Sequence, residues 1–556
     1  MNKLPRKTLP SGHGPEDFKY MGRPAKDQDD FGADVGIADC ACVNQFGEAN
    51  NSKYYHGGVV QSTKTSGWFV YLQWGRIKSA GKSWQNGGFK EQDFQFVECS
   101  SEAEARSTFA KQLKSKNTAR LEQKSIGGVT VWAGKVDKKG VVKDGYIVQS
   151  LATRERGLPD AYGIKDETGV AVKKAAPKKT KTTNLSRDYH PREIELASAL
   201  VGGSVAYTRA LSKSSGVVPT MDAISKVRDN LLTAALARIS AIGSDPAAQV
   251  ADKDLQDISK MVFAMVPREI PRTGLSPEDA ILSNRNIMQV QQDLDAFETA
   301  LLNEDFTVET TSTAVDPDTL LNAKLTWLDP NSDIGRWVEA TYRGMTRNRH
   351  GDLRGRNLRV LNMFAIERPD RDTRFVKAVQ EVAARRKGQD LGKVAPALQP
   401  SRRPDLGDVG DWAKDSNVFV GIHGTRGVNV APILQTHLRM PKSLSGVQIT
   451  GAAFGHGIYF ATDLKKSWGY TGHGARWGGS GGSVANRGAF MFLCDVIGGK
   501  FHYPTRAWGI NSDKCPNGDD SVYANPSFIS SLQNDEHIIF NPDYCRLRYV
   551  VEMDFR

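Results

Sequence analysis

Cysteine is scarce in this chain. Six cysteines among 556 residues, at positions 40, 42, 99, 494, 515 and 545, are too few and too scattered for a disulfide scaffold. The sequence contains no C-x-x-C pair and no H-E-x-x-H helix, so zinc lacks its usual ligand spacing. Long apolar runs are missing as well. None approaches the roughly 18 residues that span a bilayer, and Met1–Pro5 begins no apolar segment of a secretory signal. Neither metal, membrane nor secretion is therefore expected. Nucleotide-loop signatures also fail. Gly81-Lys82-Ser83 looks like the end of a P-loop, but the first glycine of that loop would fall at position 76, which is Arg. The glycine-rich C-terminal third contains no G-x-G-x-x-G, which leaves a Rossmann site unsupported.

What the chain does have is a basic excess. Lysine and arginine number 74 against 63 acids, a net charge of +11. Such an excess suits an anionic partner, because cations that neutralise phosphates release condensed counterions. With 39% hydrophobic residues the composition is that of a soluble globular protein, and the length suits about three or four domains.

The texture changes along the sequence. Residues 1–36, rich in Pro, Gly, Lys and Asp, read as a flexible arm. Residues 37–165 read as β: Trp68-Phe69-Val70-Tyr71-Leu72-Gln73-Trp74 is an aromatic strand between Gly67 and Gly75, with more strands near Phe94–Val97, Val129–Trp132 and Tyr146–Val148, and a helix near Ser101–Leu113. Residues 166–189 form a basic linker that holds Lys173, Lys174, Lys178, Lys179 and Lys181. Residues 190–305 turn helical. Leu255, Ile258, Val262 and Met265 recur at 3, 4, 3 spacing, and Ile287, Val290, Leu294, Phe297 and Leu301 share one helix face. Thr220 and Ser276-Pro277 are helix starts. Residues 318–556 are mixed and mostly β, with 376–411 a charged surface insertion. The fold class expected is multi-domain α+β: a small β-rich module, an all-α bundle and a mixed α/β domain with split antiparallel sheets.

Two regions carry chemistry. Around the aromatic strand, Trp74 and Arg76 beside Lys78 and Lys82 are the residue types that stack on bases and bind phosphates. In the C-terminal third, Gly421-Ile422-His423-Gly424-Thr425-Arg426 places a histidine at a strand end. Gly455-His456-Gly457-Ile458-Tyr459-Phe460, Lys466-Ser467-Trp468-Gly469-Tyr470 and Asp535-Glu536-His537-Ile538-Ile539-Phe540 follow it. Each segment alone has a structural explanation, but their order together does not arise by accident.

Residues 37–125, with Asn50-Asn51-Ser52-Lys53-Tyr54-Tyr55 ahead of Trp74-Gly75-Arg76, resemble the WGR domain. The C-terminal segments resemble the ADP-ribosyltransferase fold of the poly(ADP-ribose) polymerases, whose His–Tyr–Glu triad falls on His423, Tyr459 and Glu536. Between them, 190–305, with Phe263-Ala264-Met265-Val266-Pro267 and Leu301-Leu302, resembles that family's autoinhibitory helical domain. The resemblance implies a DNA-binding module, a regulatory helical domain and a catalytic domain in the order of the DNA-dependent members.

It also implies roles. NAD+ is the substrate, and no metal takes part. Gly424 and Ser467 would meet the nicotinamide carboxamide, while Tyr459 and Tyr470 would sandwich its ring. His423, Thr425 and Arg426 would serve the adenosine side. Lys466 would face the acceptor, Asp295 the NAD site, and Glu536 the ribose and the nucleophile. Thr425 stands where many members have Ser. The partners implied are DNA strand breaks or ends, NAD+, and protein acceptors including the chain itself. The location implied is nuclear in a eukaryote, or else cytoplasmic and nucleoid-associated. The alternatives are transfer of a single ADP-ribose, or a catalytically silent DNA-binding scaffold.

Overall fold

The computed structural model describes residues 2–21, 40–45, 53–76, 93–117, 119–143, 145–149, 185–215, 219–243, 245–266, 268, 275–303, 316–345, 356–392, 404, 412–441, 453–472, 484, 487–510 and 512–555. It divides into two compact units, one of residues 1–178 with 208–286, the other of residues 179–207 with 287–556. The helical stretch is thus shared between them.

The first unit is built on a seven-stranded sheet. Its order is Asn2–Lys3, Asp93–Cys99, Trp68–Arg76, Lys53–Ser62, Cys40–Gln45 and Ile147–Gln149, with Phe18–Tyr20 also paired to Lys53–Ser62. The aromatic strand lacks hydrophobic alternation because both of its faces are covered. Phe69 and Tyr71 pack with Phe18, Phe94 and Phe96 on one side. Val70 and Leu72 pack with Val97 and Phe109 on the other. Phe109 comes from the helix Glu102–Lys116, whose N-cap Ser101 accepts from the Glu104 amide. Residues 2–21 correct the sequence reading of an arm: Leu4 and Leu9 pack beside the buried Phe18, and two short strands join the sheet. Leu4, Leu9, Phe18 and Tyr20 tie the segment down, a signal that its polar composition conceals.

A hairpin, Leu121–Ile126 with Val129–Gly134, turns on Gly127 and Gly128, both with positive φ. Its Lys124 is ion-paired to Asp254 on the helix Lys253–Met265. On that helix Leu255, Ile258, Val262 and Met265 are all buried, as their spacing predicts. Thr220 caps Met221–Lys226, which runs through a π-helical turn into Leu232–Ile242.

The second unit holds a nine-stranded sheet. In order the strands are Lys324–Trp327, Leu358–Glu367, Cys545–Phe555, Ala489–Ile497, Val418–Gly424, Ile458–Ala461, Glu536–Ile539, Ser521–Ala524 and Phe501–His502, with only the last pair parallel. The strands form one hydrogen-bonded path, where two separate sheets were expected. The path narrows to a single residue pair, Ile422 with Ala461, between Val418–Gly424 and Ile458–Ala461. The sheet is all but split there. The helices Pro191–Ser215 and Ile287–Leu302 contribute to this unit, the first through its residues up to Tyr207.

The charged segment after residue 375 also corrects the sequence reading. It is not all surface insertion, since Pro369–Arg386 is a helix with Pro at its first turn. Phe375, Ala378, Val379 and Val382 are buried against Val418 and Ile497. Their 3–4 spacing was masked by the arginines and lysines around them.

Candidate active site

The narrow point of the sheet is where the candidate residues meet. His423 is the last residue but one of one strand, Tyr459 lies on the next, and Glu536 begins the one after. Ala461 is in register with both Ile422 and Glu536, so the three strands share one row. Tyr459 lies two residues from Ala461 and therefore on the same face as Glu536.

Where the ladder stops, the His423 ring takes over. Its Nδ1 lies 3.0 Å from the Tyr459 carbonyl oxygen. A carbonyl only accepts, so Nδ1 carries the proton and Nε2 presents a lone pair. Desolvation by burial pushes the imidazole pKa down, and the bond to Tyr459 only partly offsets it. The ring is neutral at pH 7, an acceptor suited to a hydroxyl.

The Tyr459 hydroxyl is fully engaged. It donates to the Gly455 carbonyl at 2.7 Å and accepts from the Phe454 amide at 2.9 Å. That leaves the aromatic ring as the part offered to a ligand. Gly455 has φ of 100°, a conformation that favours glycine.

Glu536 is 5% exposed. Its Oε1 lies 2.6 Å from Lys466 Nζ. Lys466 stands on the short helix Leu464–Trp468, capped by Asp463. Burial works against its ammonium, yet nearby Tyr470 and Glu536 raise its pKa on balance. Tyr470 is itself pushed up, chiefly by burial, with Glu536 adding to the shift and Lys466 opposing it. Lys466, Tyr470 and Glu536 thus form one electrostatic cluster.

Gly424 faces the same helix. A Cβ there would come within 2.1 Å of the Ser467 carbonyl oxygen, so no other residue fits. Ser467 is buried, and its hydroxyl reaches the Ile422 carbonyl only at 3.4 Å. Gly424 and the buried Ser467 thus meet at the short helix that carries Lys466. A close backbone, a buried hydroxyl and aromatic side chains are the kinds of group that a flat carboxamide ligand uses.

Arg426 is held from within the unit. It is 2% exposed. Its guanidinium donates to Asp293 Oδ1 at 2.9 Å and to the Tyr207 hydroxyl at 3.1 Å. Tyr207 and Gln289 also donate to Asp293. Asp295, expected to face the NAD site, is paired with Arg439 at 2.9 Å. Sequence reasoning missed Asp293, though a signal was there: it lies three residues after Val290 and four before Phe297, an acid on the buried stripe. Thr425 is buried beside Arg426.

Residues 340–555 match the poly(ADP-ribose) polymerase catalytic domain family. A putative poly [ADP-ribose] polymerase-like protein of invertebrate iridescent virus 6 is 31% identical over 142 residues, 24% of this chain and 68% of the relative. The chain belongs to the poly(ADP-ribose) polymerase family. It carries that family's NAD+ ADP-ribosyltransferase domain. Poly [ADP-ribose] polymerase 2-A of Oryza sativa subsp. japonica is 28% identical over 189 residues, 29% of this chain and 27% of the relative. Human protein mono-ADP-ribosyltransferase PARP3 is 32% identical over 168 residues, 24% of this chain and 28% of the relative. Against the plant and human proteins the match thus spans under a third of their length.

The other candidate residues of this polymerase relative lie in the first unit. Trp74 is half-buried, stacked on Tyr55 with ring centroids 6.2 Å apart. Arg76 closes its strand in register with Lys53. Lys78 and Lys82 fall outside the described residues. No group of three or more His, Cys, Asp or Glu that could hold a metal ion occurs among the described residues. Nor is any described helix long and apolar enough to cross a membrane.

Proposed function

We propose that the chain is a DNA-end-activated NAD+ ADP-ribosyltransferase that transfers and elongates ADP-ribose on itself and on other proteins. The observation that carries this reading is the convergence of His423, Tyr459 and Glu536 on three neighbouring strands, with Lys466 bonded to Glu536.

NAD+ enters as substrate, its nicotinamide between Tyr459 and Tyr470 and its carboxamide on Gly424 and Ser467. Stacking of this kind adds about 0.5–1.5 kcal/mol per ring beyond area burial. His423 Nε2 accepts from a ribose hydroxyl. The bond from the ribose carbon to nicotinamide nitrogen breaks with its electron pair on nitrogen, so nicotinamide leaves neutral and the ribose gains positive charge. Glu536, fixed by Lys466, places its carboxylate to stabilise that charge and to receive the acceptor's proton as the new bond forms. No step requires a metal.

The DNA-dependent part rests on the first unit, read as a WGR domain that binds strand ends. What supports coupling is the division of the helical stretch. Residues 208–286 belong to the unit that contains Trp74, while Asp293 on Ile287–Leu302 grips Arg426 in the catalytic unit. DNA that favours a state with this grip released shifts the population toward an open site. In a eukaryote such an enzyme works in the nucleus.

Single transfer is the second reading, favoured by the name of the human relative, a mono-ADP-ribosyltransferase. Incubation with labelled NAD+ and nicked duplex separates the two. A ladder of products supports elongation, a single band supports the second reading, and no labelled product contradicts both.

A further inference from the structure

The N-terminal segment forms a cation pair at the same sheet end as the Trp-Gly-Arg tripeptide. Asn2 and Lys3 pair antiparallel with Glu98 and Val97. The Leu4 and Lys7 amides donate to the carbonyls of Phe96 and Phe94, each at 3.0 Å. The segment thus runs along the strand Asp93–Cys99 toward Asp93, which is in register with Trp74.

Three observations converge there. The Arg6 guanidinium lies over the Trp74 ring, 5.5 Å from its centroid. Lys7 has φ of 60°, a left-handed conformation that a lysine adopts at a cost and that re-aims the chain. Arg6 and Lys7 share one carboxylate, Asp93, at 4.0 and 3.6 Å, with side chains 70% and 44% exposed. Both cations thus lie within ion-pair reach of the same carboxylate. The Arg6 guanidinium is mostly exposed beside that ring, and an exposed guanidinium fork binds phosphate oxygens in pairs. The strain is spent on placing charge beside Trp74, and Leu4 and Leu9 anchor the segment in the core.

We propose that Arg6 and Lys7 are phosphate-binding residues of the DNA site, gripping the duplex backbone beside Trp74. The proposal rests on the DNA-binding reading of the first unit and extends it to a segment outside the recognised module. Asp93 then acts as a local brake, competing with phosphate for the same two cations.

The test uses the full chain and a labelled duplex carrying one strand break, with affinity measured across salt concentrations. R6Q/K7Q is expected to weaken binding about tenfold at 0.1 M salt. It is also expected to flatten the slope of log affinity against log salt by nearly two, since each phosphate contact contributes about 0.9. Asp93→Asn should move binding the other way, several-fold tighter, and it keeps the proposal testable if the double variant folds poorly. Wild-type affinity and slope in R6Q/K7Q, with wild-type affinity in Asp93→Asn, would overturn the proposal. A wild-type chain that fails to bind DNA at all would instead overturn the reading on which it rests.

Discussion

Glu536 is buried between two strands and bonded to Lys466, whereas Trp74 lies half-buried at the end of its strand beneath an Arg6 that is mostly exposed. The two sheets hold their functional side chains in opposite ways. In the nine-stranded sheet each site residue is tied to another: His423 to the Tyr459 carbonyl, Tyr459 to the 454–455 turn, Arg426 to Asp293. Chemistry and fold share the same contacts there, so a substitution disturbs both. In the seven-stranded sheet the cations sit over a core already completed by Phe18, Phe69, Phe96 and Phe109. Binding there can change while the fold stays as it is.

The sharpest way to break this contrast is Asp293→Ala. It strands the buried Arg426 guanidinium, and removing one partner of a buried pair costs roughly 3–5 kcal/mol. Chemical denaturation should report that loss in the catalytic unit; wild-type stability would mean that the buried network is dispensable. Glu536→Gln comes next. Transfer should fall by about 10²–10³-fold while NAD+ binding, read by calorimetry, largely survives. Unchanged product length would remove Glu536 from the mechanism.

A smaller effect is set by pH. His537 is buried and stacked on Tyr523, with ring centroids 4.2 Å apart, and burial pushes its pKa down to about 3. The unfolded chain takes up a proton near pH 6.5 that the folded chain refuses. Stability is therefore full above pH 6.5 and falls as the pH drops, by roughly 2 kcal/mol at pH 5. His537→Phe should lose less stability than wild type between pH 7 and pH 5. An equal loss in both proteins would assign the pH dependence elsewhere. The smallest effect is expected in the first unit. Lys124→Ala removes a partly exposed pair with Asp254, worth under about 1 kcal/mol. A larger shift in the thermal midpoint would show that this unit is as interlocked as the other.

Legibility in the sequence follows the same contrast. Elements with a strong apolar signature were readable: the aromatic strand Trp68–Arg76 and the helical stripe Leu255, Ile258, Val262, Met265. The motifs around His423, Tyr459 and Glu536 were readable through their order and its resemblance to a known family; the close approach of Gly424 to Ser467 gives one of them a physical reason. What stayed hidden was apolar pattern inside polar composition. Leu4, Leu9 and Phe18 tie down a segment that reads as an arm, and Phe375, Val379 and Val382 line a helix that reads as an insertion. Partner choice could be read only through helix phase: Asp293 falls on the buried stripe of Ile287–Leu302 and Asp295 does not.

The central question is whether the three-strand pocket performs NAD+ chemistry under DNA control. The direct measurement is nicotinamide release from NAD+ by the wild-type chain, with and without nicked duplex. Release that is slow without DNA and rises severalfold or more with it is the predicted result. No release in either condition would contradict the account and leave a silent, DNA-binding fold.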